Sequence, residues 1–245
     1  MAYSTLFSAV ASVSVQMDIV DLQRPELLPD TFRERLNSIK AICRNEEFSE
    51  ELVQHDDVRN LVIDIDRYCT QNRVMGIHYT RAIRTDIERK GLLIRTGAEI
   101  RDEFIQRFGH KFEANELEWL QTKWSSHQAK QSDIRDSMLW FNFTLTAYGG
   151  SGSEYLLGLY GGEQIHMGIE FDTPIGRKLA SIGEPLIVKC ALDPQKVKTF
   201  IEHPWGKILV SSFHLSVEPE AYPIDQDGKI THSILPQDVV VEPAH

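Results

Sequence analysis

The spacing of apolar residues changes period at residue 74, and this switch restricts the chain to a fold in which helices cover a sheet. Before it, Phe32, Leu36, Ile39 and Ile42 recur at helical intervals after Asp30-Thr31, and Val58, Leu61, Val62, Ile65 and Tyr68 repeat the pattern. Residues 18–72 therefore read as amphipathic helices whose Asp and Glu residues form a solvated face. Val74-Met75-Gly76-Ile77-His78-Tyr79-Thr80 is instead short, β-branched and aromatic, which predicts a strand. Ala82, Ile83 and Ile87 then return to helical spacing, and Gly91 marks the end of that helix.

Further along, Phe104, Phe108, Leu117, Leu120 and Trp124 form the inward side of a charged helical region from Glu99 to about Lys130. Residues Met138 to Leu145 read as a buried strand, and Tyr148 to Ser153 as a Gly/Ser loop that caps a short helix over Glu154 to Tyr160. Strands are predicted over 165–171, 186–192, 208–217, 230–234 and 239–241, divided by Asp193-Pro194, Pro204-Trp205-Gly206 and Asp225-Gln226-Asp227-Gly228 turns. The expected organisation is a helical N-terminal extension over 1–73 followed by an α+β domain over 74–245.

Composition narrows the function classes. With 42% hydrophobic and 25% charged residues in 245, the chain has ordinary globular content. Its formal net charge of −10 repels nucleic acid at long range unless Lys and Arg gather on one face, so a small molecule or a protein is the favoured partner. Cys43, Cys69 and Cys190 are widely spaced and odd in number, which predicts buried thiols in a reducing compartment rather than a disulfide framework. His203, His214 and His232 lack helical or paired-Cys spacing, so no metal is expected. Met1 to Met17 has no basic start and is broken by serines, and no stretch reaches the roughly 18 apolar residues of a membrane span. The expectation is a cytoplasmic protein, although delivery into another cell by a leaderless route would leave no mark in these residues. P-loop, GxGxxG, GxSxG and HExxH motifs are all missing, which removes the commonest hydrolases, reductases and zinc proteases.

What remains is a set of short motifs: Ile77-His78-Tyr79-Thr80 on a strand, Lys90-Gly91-Leu92-Leu93 closing a helix, aromatic Trp140-Phe141-Asn142-Phe143-Thr144, Ser151-Gly152-Ser153-Glu154-Tyr155 opening a helix, and a close running from Asp227-Gly228-Lys229-Ile230 to Val239-Val240. Taken together over residues 74–241, they resemble the ADP-ribosyltransferase superfamily, which includes ADP-ribosylating toxins and is related to tRNA 2′-phosphotransferases. The resemblance implies a split β-sheet core with flanking helices and NAD as substrate. It implies that His78 holds the nicotinamide ribose, that Tyr79 or Thr80 borders the nicotinamide amide, and that Arg81 meets a phosphate. Phe141, Phe143 or Tyr155 would supply the stacking wall, beside Ser153 at the helix start. The catalytic acid lies among Glu163, Glu218, Glu220 and Asp227; Glu218-Pro219-Glu220 has the Glu-x-Glu spacing of Arg-modifying transferases, Glu163 follows a flexible Gly161-Gly162, and Asp227 sits at a suitable distance from the closing strand. Two further readings accompany this one: a tRNA 2′-phosphotransferase relative, and a binding module that keeps the cleft without turnover.

Overall fold

A computed structural model describes residues 18–125, 135–224 and 226–244. The opening Met1 to Met17, and the expected helical tail between 126 and 130, lie outside the described residues. The spine is strand β2 (Arg73–Ala82), flanked by β1 (Ile19–Val20) and β3 (Leu139–Asn142) on one edge and by β4 (Glu184–Leu192) on the other. β4 pairs antiparallel with β2 from Val74↔Leu192 to Ala82↔Glu184. The other edge is discontinuous: β1 joins in parallel at Arg73 and Val74, and β3 joins antiparallel at Ile77↔Asn142 alone. With β5 (Asp227–Ile230) outside β3 and β6 (Val239–Pro243) outside β4, the order is β5-β3-β2-β4-β6, and the sheet is largely antiparallel. Alternate residues of a strand face opposite sides, so Val74, Gly76 and His78 share one face with Val188 and Cys190 opposite them. A Cβ at Gly76 would lie 2.4 Å from Leu192 Cδ1, so the Leu192 side chain packs closely over the backbone there.

Helices cover both faces. α1 (Asp30–Ser38), α2 (Lys40–Cys43), α3 (Ser49–Leu52) and α4 (Asp56–Thr70) precede the spine; α5 (Arg84–Lys90), α6 (Gly97–Phe108) and α7 (Ala114–Ser125) follow it; α8 (Ser151–Gly158), α9 (Glu163–His166), α10 (Pro174–Ala180) and α11 (Pro204–Val217) complete the set. α4 buries the stripe Val58, Leu61, Val62, Ile65 and Cys69, and each fully buried aliphatic chain contributes roughly 1.5–3 kcal/mol. α11 lies against it, with Gly206 at the contact, where a Cβ would meet Val62 O at 2.0 Å. Asp66 of α4 caps α11 by accepting from Trp205 N and Gly206 N at 3.0 and 3.3 Å. The helices before residue 73 share one core cluster with β2, β4 and α11, including Leu36, Leu61, Val74, Val188 and Leu209. A second cluster gathers Phe104, Phe112, Leu120, Leu159, Ile165 and Leu179 from α6 to α10.

Several expected elements differ. The strand expected over 230–234 lies instead at Asp227–Ile230, taking in Asp227 and Gly228 of the expected turn, and Ile234 makes only an isolated bridge to Leu92. Residues 208–217 lie in α11 rather than a strand, because Ile208, Leu209, Val210 and Phe213 are buried on several faces and carry no alternation. The segment 165–171 is the end of α9 followed by turns, with Gly168 at φ 68°. The strand expected over 138–145 is confined to Leu139–Asn142, and Leu145–Ala147 is a turn of 3₁₀ helix capped by Thr144.

Candidate functional site

Beyond Ile77↔Asn142 the two strands separate, and a cavity of about 360 Å³ occupies the gap. Its walls come from β2 and the turn after it (Ile77 to Ile83), from Met138 to Asn142, from α5 and α6, and from Tyr160 to Ile165. A gap of this kind presents both strand faces to a ligand, so His78 and Tyr79 line it together although their side chains alternate.

His78 is half-buried, and its Nδ1 lies 2.9 Å from Trp140 O across the gap. A carbonyl only accepts, so Nδ1 carries the proton and Nε2 is the acceptor of the neutral ring. Burial lowers the imidazole pKa, and the bond to Trp140 opposes that only in part, so the ring is neutral near pH 7. Phe141 flanks it at 5.7 Å between ring centroids. Thr80 lines the cavity half-buried, and Tyr79 is buried against Tyr148. Arg81 also reaches the wall, but its guanidinium is engaged: Nε donates to Ile182 O at 2.9 Å, Nη1 to Leu157 O at 3.3 Å and Nη2 to Gly183 O at 3.2 Å. It ties α8 to the turn before β4, a structural use that competes with the phosphate contact implied by resemblance.

Of the four acids, Glu163 and Asp227 line the cavity. Gly161 at φ 90° and Gly162 at φ 64° turn the chain so that Glu163 enters at the start of α9. Its carboxylate is ion-paired with Arg135, whose guanidinium lies 5.6 Å over the Trp140 ring. Glu218 and Glu220 follow the end of α11, where Ala221 and Tyr222 run beside Glu47 and Phe48; neither glutamate lines the cavity. Phe143 packs edge-on against Trp205 at 4.9 Å in the first core. Ser153 Oγ bonds Ala147 O and Gly150 O at the start of α8. Tyr155 packs on Phe171 and donates to Glu170 at 2.7 Å. These three residues stand outside the cavity lining.

Sequence reasoning did not single out Tyr160, Asp86, Arg95, Glu103, Arg107 or Arg135, which come from separated segments and carry no motif. Arg107 pairs with Asp86 at 2.7 Å and Glu103 at 3.0 Å, and Arg95 pairs with Glu103. Burial raises the Asp86 carboxyl, but the Arg107 bond and charge, with Lys90 and Arg89, hold it below the ordinary value. Within this network two guanidiniums meet two carboxylates.

Thiol chemistry has no place here. Burial pushes Cys43 to about 11 and Cys69 and Cys190 to about 12, so all three stay protonated. Among the described residues no group of His, Cys, Asp and Glu is arranged to hold a metal. His214 is instead buried between Ser49 Oγ and the carbonyls of Cys43 and Glu46. No helix among the described residues is long and apolar enough to cross a membrane.

Fold and site define a mixed α+β protein whose largely antiparallel sheet is parted around a histidine-lined cleft. Compared with known protein families, curated proteins and solved structures, the chain matches none.

Proposed function

We propose that the chain is an ADP-ribosyltransferase-like enzyme that takes NAD into the gap between β2 and β3 and transfers ADP-ribose to an acceptor. The observation that carries this reading is the parting of the strands directly after Ile77↔Asn142, with His78 on the wall of the cavity that results. A neutral imidazole held by Trp140 O offers Nε2 to a ribose hydroxyl in a fixed direction. Trp140, Phe141 and Tyr160 provide the aromatic lining on which a nicotinamide ring can stack. The bond between C1′ and the nicotinamide nitrogen breaks with its electron pair leaving on nicotinamide, and an acceptor lone pair forms the new bond at C1′. In this reading Glu163, on the cavity wall with Asp227, receives the acceptor's proton and faces the positive charge that develops on the sugar. Glu218 and Glu220, away from the lining, have no part in this reading.

Binding without turnover is favoured by one observation: Arg135 already occupies Glu163. A tRNA 2′-phosphotransferase would need several free cations in the cleft, whereas Arg95, Arg107 and Arg135 are paired with carboxylates and Arg81 with carbonyls, which leaves Lys90 among the lining cations. Nicotinamide release followed by chromatography separates these readings. Turnover that Glu163→Gln abolishes while NAD still binds supports transfer; NAD bound and never consumed supports the binding module; no NAD binding removes both.

A further inference from the structure

At the mouth of the cleft the protein carries a surface on which cations lie beside a partly buried Trp140, itself under the Arg135 guanidinium, and an exposed Phe200. Trp140 of β3 is in register with Lys229 of β5, and Lys229 is in register with Lys198, with which it exchanges backbone hydrogen bonds of 2.8 and 3.0 Å. Residues directly opposite one another share a face, so Trp140, Lys229 and Lys198 form one row across three adjacent segments. Lys229 Nζ lies 5.0 Å from the Trp140 ring, and Phe200 stacks on that ring at 5.9 Å with 12° between planes. Phe200 is 58% exposed and Lys198 is exposed, so the stack continues outward into solvent.

Two features of this row call for an anion. Like charges directly opposite in a ladder destabilise it, yet Lys198 and Lys229 face each other, and neither has an ion-pair partner among the described residues. The chain as a whole is acidic, at −10, so general basicity does not account for the pair. Asp227, two positions along β5 on the same face, leaves the two lysines unpaired. An aromatic platform beside unneutralised lysines is the combination that holds a single-stranded polynucleotide, bases stacking on the rings and phosphates between the cations.

We infer that the surface formed by Trp140, Phe200, Lys198 and Lys229 binds single-stranded nucleic acid. Because Trp140 also lines the cleft, a strand lying on this surface passes beside the His78 pocket. Its role as the acceptor rests on the transferase reading, whereas the binding itself does not. The expectation drawn from net charge favours a protein acceptor over nucleic acid unless cations gather on one face, and Lys198 and Lys229 share such a face.

The test is fluorescence anisotropy of the full chain with a labelled single-stranded oligothymidine of about 12 nucleotides, titrated at several salt concentrations, with the matching duplex in parallel. The wild type should bind the single strand at low salt at least tenfold more tightly than the duplex. Phe200→Ala should weaken binding about tenfold through loss of one stacked base. A Lys198→Gln, Lys229→Gln double variant should reduce the slope of log affinity against log salt by about 1.4, two phosphate contacts at about 0.7 each. Unchanged thermal unfolding verifies that these surface variants fold. No binding, equal binding of duplex, full displacement by equimolar thymidine monophosphate, or variants that bind like wild type would each overturn the inference. NAD calorimetry on the same samples keeps the two proposals apart: NAD bound without oligonucleotide removes only this surface, and oligonucleotide bound without NAD removes only the transferase reading.

Discussion

His166 should make the protein acid-labile in a way that a single substitution can cure. It sits at the end of α9, 3% exposed, stacked on Tyr155, with Nε2 buried and without a hydrogen-bond partner. Burial is the main cause that brings its pKa down to about 4, against a weaker attraction from Glu163. An unfolded histidine titrates near 6.5, so between pH 6.5 and 4 the unfolded chain holds a proton that the folded one refuses, and stability falls as pH falls through that window. At pH 4 the loss integrates to about 3 kcal/mol, a shift of about 2.5 units at 1.36 kcal/mol per unit less the half-protonation reached there. Phenylalanine has a similar shape and needs no partner for Nε2, so His166→Phe should match or exceed wild-type stability at pH 7. Carboxylates held low by ion pairs, such as Asp86 and Glu116, also weaken the fold in acid, but they do so in both proteins. Urea unfolding at half-unit steps should therefore show the variant gaining about 3 kcal/mol on wild type between pH 7 and pH 4. Parallel stability curves would refute the assignment of a neutral, desolvated ring.

Gly206→Ala places a methyl group 2.0 Å from Val62 O, where backbone must move; the packing of α11 on α4 should lose about 3 kcal/mol or more, read by chemical denaturation, while Gly152→Ala, which meets open space, serves as the tolerated control. Arg81→Lys keeps the charge but cannot serve three carbonyls from a planar fork; a loss of about 2 kcal/mol is expected from unfolding curves, and wild-type stability would show that the three bonds contribute nothing net.

Part of this fold is legible locally. β2, β4 and β6 announce themselves through β-branched runs, and α6 and α7 through the helical spacing of Phe104, Phe108, Leu117, Leu120 and Trp124, although the break between them at 109–113 does not show. α11 is not legible, because a helix buried on most sides loses its stripe and its β-branched and aromatic residues then read as strand. The site divides in the same way. His78, Thr80 and Phe141 sit on two short strands whose chemistry shows in the sequence, and the structure brings them to one cavity. Which acids reach the cavity could not be read from spacing, since Glu218-Pro219-Glu220 has the more suggestive pattern but follows α11 outside the lining, while Asp227 lines it from β5 and Glu163 is delivered by two positive-φ glycines. Asp86, Glu103 and Arg107 meet only through tertiary contacts, which no local pattern encodes.

The parted strands and their imidazole are tested most directly by isothermal titration of NAD into wild type, His78→Ala and Glu163→Gln. Binding to wild type, weakened about tenfold or more in His78→Ala through loss of one oriented hydrogen bond and retained in Glu163→Gln, is the predicted result. Absence of heat with wild type, or equal affinity after removal of the imidazole, would contradict it.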